Sequence, residues 1–267
     1  MTAYLDHLAV AAESWDELWP RYRVELGGEW VSGELGFGFS PAQVRYANGM
    51  KVEVLSPEGW EQNDFLRRFL DRRGPGPHHV TFKVPDILEA IDTVRAAGYE
   101  PVGIDLRDAH WKEAFLHPKD APGIVVQLAE APHEWDSPPP ADMPDAAGEQ
   151  ATFDYLALAV ADVGRAHALF AGLLDGEETC HGRDDVYDAD WIELGWKKGG
   201  GRIRLIDLSL AGDDVRAWVG AESGRLHHAA FTVAGAADLA DAKPLGDGRY
   251  EVAAEANLGV RLVISER

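Results

Sequence analysis

A single cysteine, Cys180, stands in 267 residues, which excludes an internal disulfide and a cluster of thiolate metal ligands. Basic residues are also scarce. Lys and Arg number 25 against 46 Asp and Glu, a formal net charge of −21. Such a surface repels nucleic-acid phosphates and anionic lipid, so neither nucleic acid nor a membrane is an expected partner. A small anionic substrate can still enter a locally basic pocket. No segment approaches the roughly 20 consecutive apolar residues that span a bilayer. The opening "MTAYLDHLAV" has no basic stretch, and Asp6 interrupts its apolar run, so no signal peptide is expected and the cytoplasm is the expected compartment. What is present is the composition of a folded protein: 46% hydrophobic residues and nine Trp, in a chain long enough for one large or two ordinary domains.

The clearest break is "EAPHEWDSPPPADMPDAAGEQA", residues 130–151, which holds Pro132, Pro138, Pro139, Pro140 and Pro144 among several acids. Prolines at this density prevent a helix or a central strand, so an extended linker is expected over 131–151 between domains at 1–130 and 152–267.

The two halves repeat each other. "YLDHLAVAAES" (4–14) matches "TFDYLALAVAD" (152–162), placing Tyr155 opposite His7, and "PHHVTFKVPD" (77–86) matches "LHHAAFTVAG" (226–235), placing His228 opposite His79. A finer repeat lies within the first half, where Glu53 follows His7 at nearly the spacing by which Gln127 follows His79. Four copies of one unit are expected. Each opens on an alternating strand and continues into an amphipathic helix. In "PDILEAIDTVRAAGYE", Asp86 reads as the N-cap, Gly98 as the stop, and Ile87, Leu88, Ile91 and Val94 as the buried face. In the first unit Ser14 and Glu17 fit a capping box, with Pro20 early in the helix. Three short strands complete the unit, which is therefore βαβββ. The fourth copy is clipped, so its helix or its hairpins must be short.

Strand alternation then separates the histidines. In "HHVTFKV", Val80, Phe82 and Val84 face one way and His79, Thr81 and Lys83 the other, while His78 lies at the solvated start. His7, Glu53 and Gln127 are likewise polar residues in apolar strands, each costly to bury without a partner. Taken singly, each reads as an ordinary half-buried polar residue. Taken together at repeat-related positions, His7, Glu53, His79 and Gln127 can share one divalent ion such as Zn, Ni, Co, Mn or Fe.

The stretches "DHLAV", "NGMKVEVLSP", "GPHHVTFKV" and "FLHPKDAPGIVVQLAE" resemble the vicinal oxygen chelate superfamily of glyoxalases, bleomycin resistance proteins and dioxygenases. The pattern is nearest to its methylmalonyl-CoA epimerase and glyoxalase branch. The resemblance implies an α+β fold of tandem βαβββ units forming cupped mixed sheets. It also implies a metal held by His7, Glu53, His79 and Gln127 on first and last strands. At the last position the isomerases and dioxygenases of the family usually carry a glutamate. Gln127 cannot take a proton, which leaves Glu53 as the expected base. In the second half Tyr155 and Val263 replace two ligands, Asp207 aligns with Glu53 only across a small gap, and His228 alone survives. A single metal per chain is expected, with His228 structural.

The remaining signals are weaker. His117 precedes a proline and reads as turn chemistry. Lys51, Lys83 and Arg45 would make the cup basic, Trp60 and Trp111 could wall it, and Cys180 reads as a buried or incidental thiol. Three functions stay open: metal-dependent proton transfer next to a carbonyl or thioester (isomerase, epimerase or lyase type), an extradiol-type Fe(II) dioxygenase, and a metal-free protein that binds a small molecule such as an antibiotic. The expected partner is a small-molecule substrate, and a homodimer stays open as an assembly.

Overall fold

A computed structural model describes residues 2–34, 38–59, 61 and 63–267; Trp60 lies outside them. The first half supplies β1 (Tyr4–Ala11), β2 (Glu29–Gly33), β3 (Ser40–Arg45), β4 (Lys51–Ser56), β5 (Gly76–Lys83), β6 (Val102–Asp105), β7 (Lys112–Leu116) and β8 (Val125–Glu130). They form one eight-stranded sheet in the order β2-β3-β4-β1-β5-β8-β7-β6. The second half supplies β9 (Thr152–Val160), β10 (Glu177–Asp184), β11 (Ala189–Gly195), β12 (Arg202–Asp207), β13 (Gly224–Val233), β14 (Lys243–Gly246), β15 (Arg249–Val252) and β16 (Leu262–Glu266). Their order, β10-β11-β12-β9-β13-β16-β15-β14, repeats the first strand for strand. Within each unit the outer strands pair by antiparallel hairpins, as β2–β3–β4 do. The opening and closing strands pair in parallel, β1 with β4 and β5 with β8. This is the mixed α+β architecture of paired βαβββ units.

The helices follow their local signals. Helix α1 (Phe65–Arg73) links the first two units and was not legible as part of the repeat, although Leu66 and Leu70 bury one face at helical spacing. Helix α2 (Ile87–Ala96) starts at Asp86, whose Oδ1 accepts the backbone N–H groups of Leu88 and Glu89. Its buried face is Ile87, Ala90, Ile91 and Val94. Leu88, expected on that face, is 57% exposed, because one residue of helix rotates a side chain by about 100° away from Ile87. The first unit's helix is a capped 3-10 turn, Trp15–Leu18, followed by a π-helical segment, Trp19–Glu25, with Pro20 near its start. The Ser14–Glu17 capping box is formed. The third unit has α3 (Val163–His167), and α4 (Asp213–Val219) links it to the fourth. The clipped fourth unit shortens both parts: its helix is one 3-10 turn, Ala236–Asp238, and β14 and β15 have four residues each.

The sheets follow the two sequence halves, whereas the chain's two compact units draw on both. One consists of Met1–Asp6, His79–Glu134 and Asp154–Ala229, the other of His7–His78, Trp135–Phe153 and Ala230–Arg267. In the former, Phe82 packs on Phe170 and Trp196 at 5.8 and 5.1 Å. In the latter, Tyr46 and Phe153 pack on Phe231 at 5.0 and 4.4 Å, and Asn257 donates to the Tyr22 hydroxyl at 2.9 Å. The proline-rich segment has neither helix nor strand and is strapped down. Trp30 Nε1 donates to the Ser137 carbonyl, and Arg23 Nε to that of Pro144. Among the described residues no helix is long and apolar enough to cross a membrane.

Candidate metal centre

Strand register decides which polar side chains meet. His7 lies beside Lys51, and Ala9 beside Glu53, in the parallel pair β1–β4. Residues paired across a sheet, and those two apart along a strand, share a face. His7 and Glu53 therefore project together. His79 and Thr81 sit beside Val125 and Gln127 in the matching pair β5–β8, and β5 neighbours β1. One ligand atom each from His7, Glu53 and His79 lies within 4.8 Å of the others, with His7 Nε2 3.5 Å from Glu53 Oε2. All three are buried, at 0%, 7% and 4% exposure. Two imidazoles and a carboxylate withdrawn from water and aimed at one point are the donor set of a divalent first-row ion. The residues therefore fit such an ion.

The other oxygen of Glu53 is held from the next strand. Gln43, beside Glu53 in the β3–β4 pair, donates from Nε2 to Glu53 Oε1 at 2.7 Å. Sequence reading passed over Gln43, although its position between buried Ala42 and Val44 in "PAQVR" puts it on the same face as Glu53. Gln127 is 4% exposed and lies in a network of its own. Its Oε1 accepts from Thr81 Oγ1, and its Nε2 donates to Glu113 Oε2 at 2.7 Å. That Glu113 oxygen also accepts from Trp111 Nε1 at 2.8 Å, and the Lys83 ammonium sits 3.5 Å above the Trp111 ring. Glu113 is thus a second carboxylate on this face, anchored through Gln127, which sequence reading missed. The available signal was the alternation of "KEAFL", in which Ala114 and Leu116 are buried.

Several expectations need correction. His78 is half-buried rather than fully solvated: its ring packs against Phe65 and Phe69 at 5.8 and 5.0 Å, and burial pushes its pKa down to about 4 against the pull of Glu53. Of the two readings of Cys180, its exposure removes the buried one and leaves the incidental thiol. The gapped match of Asp207 to Glu53 fails, since Asp207 lies beside Val160 and Arg204 lies beside Ala157, the counterpart of Ala9. Arg45 is taken up by Glu29, at 3.1 Å. His117 does serve its turn, with Nδ1 accepting the Lys119 N–H at 3.2 Å. His228 is 2% exposed, stacked on Tyr187 at 5.5 Å and paired through Nδ1 with His227 at 2.7 Å.

A sequence profile of the Glyoxalase/Bleomycin resistance protein/Dioxygenase superfamily matches residues 6–115. The ethylmalonyl-CoA/methylmalonyl-CoA epimerase of Cereibacter sphaeroides is 33% identical over 134 residues, 48% of this chain and 98% of that protein. The mitochondrial methylmalonyl-CoA epimerase of Mus musculus is 30% identical over 133 residues, 48% of this chain and 72% of that one. A mutant 4-hydroxymandelate synthase from Streptomyces coelicolor shares the fold across 87% of this chain and 71% of its own, with a TM-score of 0.60 at 16% identity. The curated relatives are enzymes and match about half of the chain, while the fold likeness runs through most of it. The chain belongs to the glyoxalase/bleomycin resistance protein/dioxygenase superfamily.

Proposed function

We propose that the protein is a metal-dependent enzyme that moves a proton on the carbon next to a carbonyl or thioester, an isomerase or epimerase in type. The observation that carries this reading is the convergence of His7, Glu53 and His79 within 4.8 Å, on the face that also carries the Gln127–Glu113 pair. The epimerase names of the relatives support the same chemistry.

A divalent ion held by His7, Glu53 and His79 supplies Lewis acidity, polarising the substrate carbonyl and acidifying the adjacent C–H bond. The chain supplies the rest. Glu53 has one oxygen turned to His7 and the other fixed by Gln43, which suits a ligand better than a mobile base. Gln127, the fourth expected ligand, has its amide oxygen on Thr81 and its amide nitrogen on Glu113, and so orients Glu113. Glu113 is then the carboxylate that accepts and returns the proton, in place of Glu53.

The test is deuterium wash-in at the α-carbon of a 2-substituted acyl thioester. Glu113→Gln is expected to slow exchange by about 10²–10⁴ with the metal retained, and His79→Ala to lose metal and exchange together. Full exchange in Glu113→Gln, with loss in a Glu53→Gln variant that keeps its metal, returns the base to Glu53. No exchange in metal-replete wild type overturns the proposal.

One observation favours a second reading. Two His and one carboxylate are the ligand set of non-haem Fe(II) oxygenases. Oxygen uptake with a catechol by the Fe(II)-loaded protein, without α-proton exchange, would select it.

A further inference from the structure

In the second sheet, the strand positions that hold Gln43 and Glu53 in the first hold Glu193 and Arg204. Gln43 lies beside Glu53, and Glu53 beside Ala9; Glu193 lies beside Arg204, and Arg204 beside Ala157. A guanidinium thus stands where the first half places a metal-binding carboxylate. Its surroundings are built. The Arg204 guanidinium lies 3.7 Å from the Tyr155 ring centre and 4.0 Å from that of Trp191. Its Nε donates to Glu193 Oε2 at 2.9 Å. Glu193 is 2% exposed, and its Oε1 accepts from Thr179 Oγ1 at 3.0 Å and faces Arg202 at 3.4 Å. These contacts fix the plane of the Arg204 guanidinium and leave its outer edge. Among the described residues, its hydrogen bonding to protein runs through Nε alone, and the side chain is 23% exposed.

We propose that this cluster is a binding site for a small organic monocarboxylate, held by the two terminal nitrogens of Arg204. Aromatic rings occupy the positions around the guanidinium face, so a ligand meets it at the edge, where two parallel N–H donors match a planar carboxylate. Charge sets the valence. Two guanidinium groups and one ionised carboxylate leave a single positive charge, which one carboxylate balances and a phosphate dianion exceeds. The rings of Tyr155, Tyr187 and His228, with His228 at 5.6 and 5.5 Å from the two tyrosines, offer an apolar wall for the body of the acid. This site is independent of the metal centre.

The probe is 4-fluorobenzoate, titrated into the purified full-length protein and followed by fluorine NMR. Wild type is expected to bind one equivalent at millimolar or better affinity. Arg204→Gln is expected to weaken binding at least about tenfold, the loss of a charged two-point contact, and His79→Ala to leave it unchanged. Arg204→Lys keeps the cation and loses the fork. A several-fold loss in this variant supports the proposal even if Arg204→Gln folds poorly, and equal affinity overturns it. The proposal is also overturned by no binding to wild type at about ten millimolar, by loss of binding in His79→Ala, or by inorganic phosphate displacing the probe as the tighter ligand.

Discussion

Glu193 shows how much one buried charge depends on its neighbours. Burial alone would raise its pKa, but Arg204, Thr179 and Arg202 outweigh that and hold it below the ordinary 4.5. A carboxyl whose pKa is lower folded than unfolded contributes stability that is complete above the unfolded value. That stability is lost as pH falls through the folded one. Wild type should therefore lose stability partly through this residue as pH falls below the ordinary carboxylate value. Glu193→Gln should be less stable at neutral pH, because two guanidinium groups lose their carboxylate, and should show a shallower acid slope. Urea midpoints measured as a function of pH check both, and an unchanged slope would remove Glu193 from the acid transition. The same neighbour rule acts at Glu53, whose two oxygens are turned to His7 and Gln43. There, the partners hold a candidate ligand.

Helix α2 separates what a local pattern can state from what packing adds. Asp86→Ala removes a side chain that accepts two backbone N–H groups and should cost about 1 kcal/mol. Ile91→Ala, at a position 3% exposed, should cost about 2–5 kcal/mol, because it leaves a cavity against the sheet. Leu88→Ala should stay within about 0.5 kcal/mol, its side chain being mostly in water. Denaturant midpoints should fall most for Ile91→Ala, less for Asp86→Ala and least for Leu88→Ala, and a large loss at Leu88 would contradict the helix's orientation. Helix α1 makes the complementary point. Its Phe65 and Phe69 pack against His78, a contact that no pattern within β5 announces.

For the whole molecule, two sheets of one topology carry unequal chemistry. Among the described residues the grouping of His, Cys, Asp and Glu able to hold an ion is His7, Glu53 and His79. The second sheet sets Tyr155, Arg204 and His228 at the corresponding places, and the buried Val263 at that of Gln127. The expected stoichiometry is one divalent ion per chain. His79→Ala should lose it, and His228→Ala should keep it, as elemental analysis of the purified variants can measure. Two ions per chain, or equal loss from both variants, would contradict the asymmetry.

Much of this was settled by residue order alone, because the relevant periods are short. Alternation with period two assigned His7, Glu53, His79 and Gln127 to defined strand faces before any strand was paired. The duplicated "HHVTF" and "HHAAF" stretches exposed the repeat, and five prolines marked the break between halves. Tertiary structure decided what depends on register and on neighbours far along the chain. Only pairing puts Arg204, rather than Asp207, opposite Ala157. Only the approach of β7 to β8 brings Glu113 to Gln127. Only the docking of α1 packs a phenylalanine against His78. A strand's pattern states which way each side chain points, but its partner's register states what that side chain meets, and a shift of one residue reverses the face.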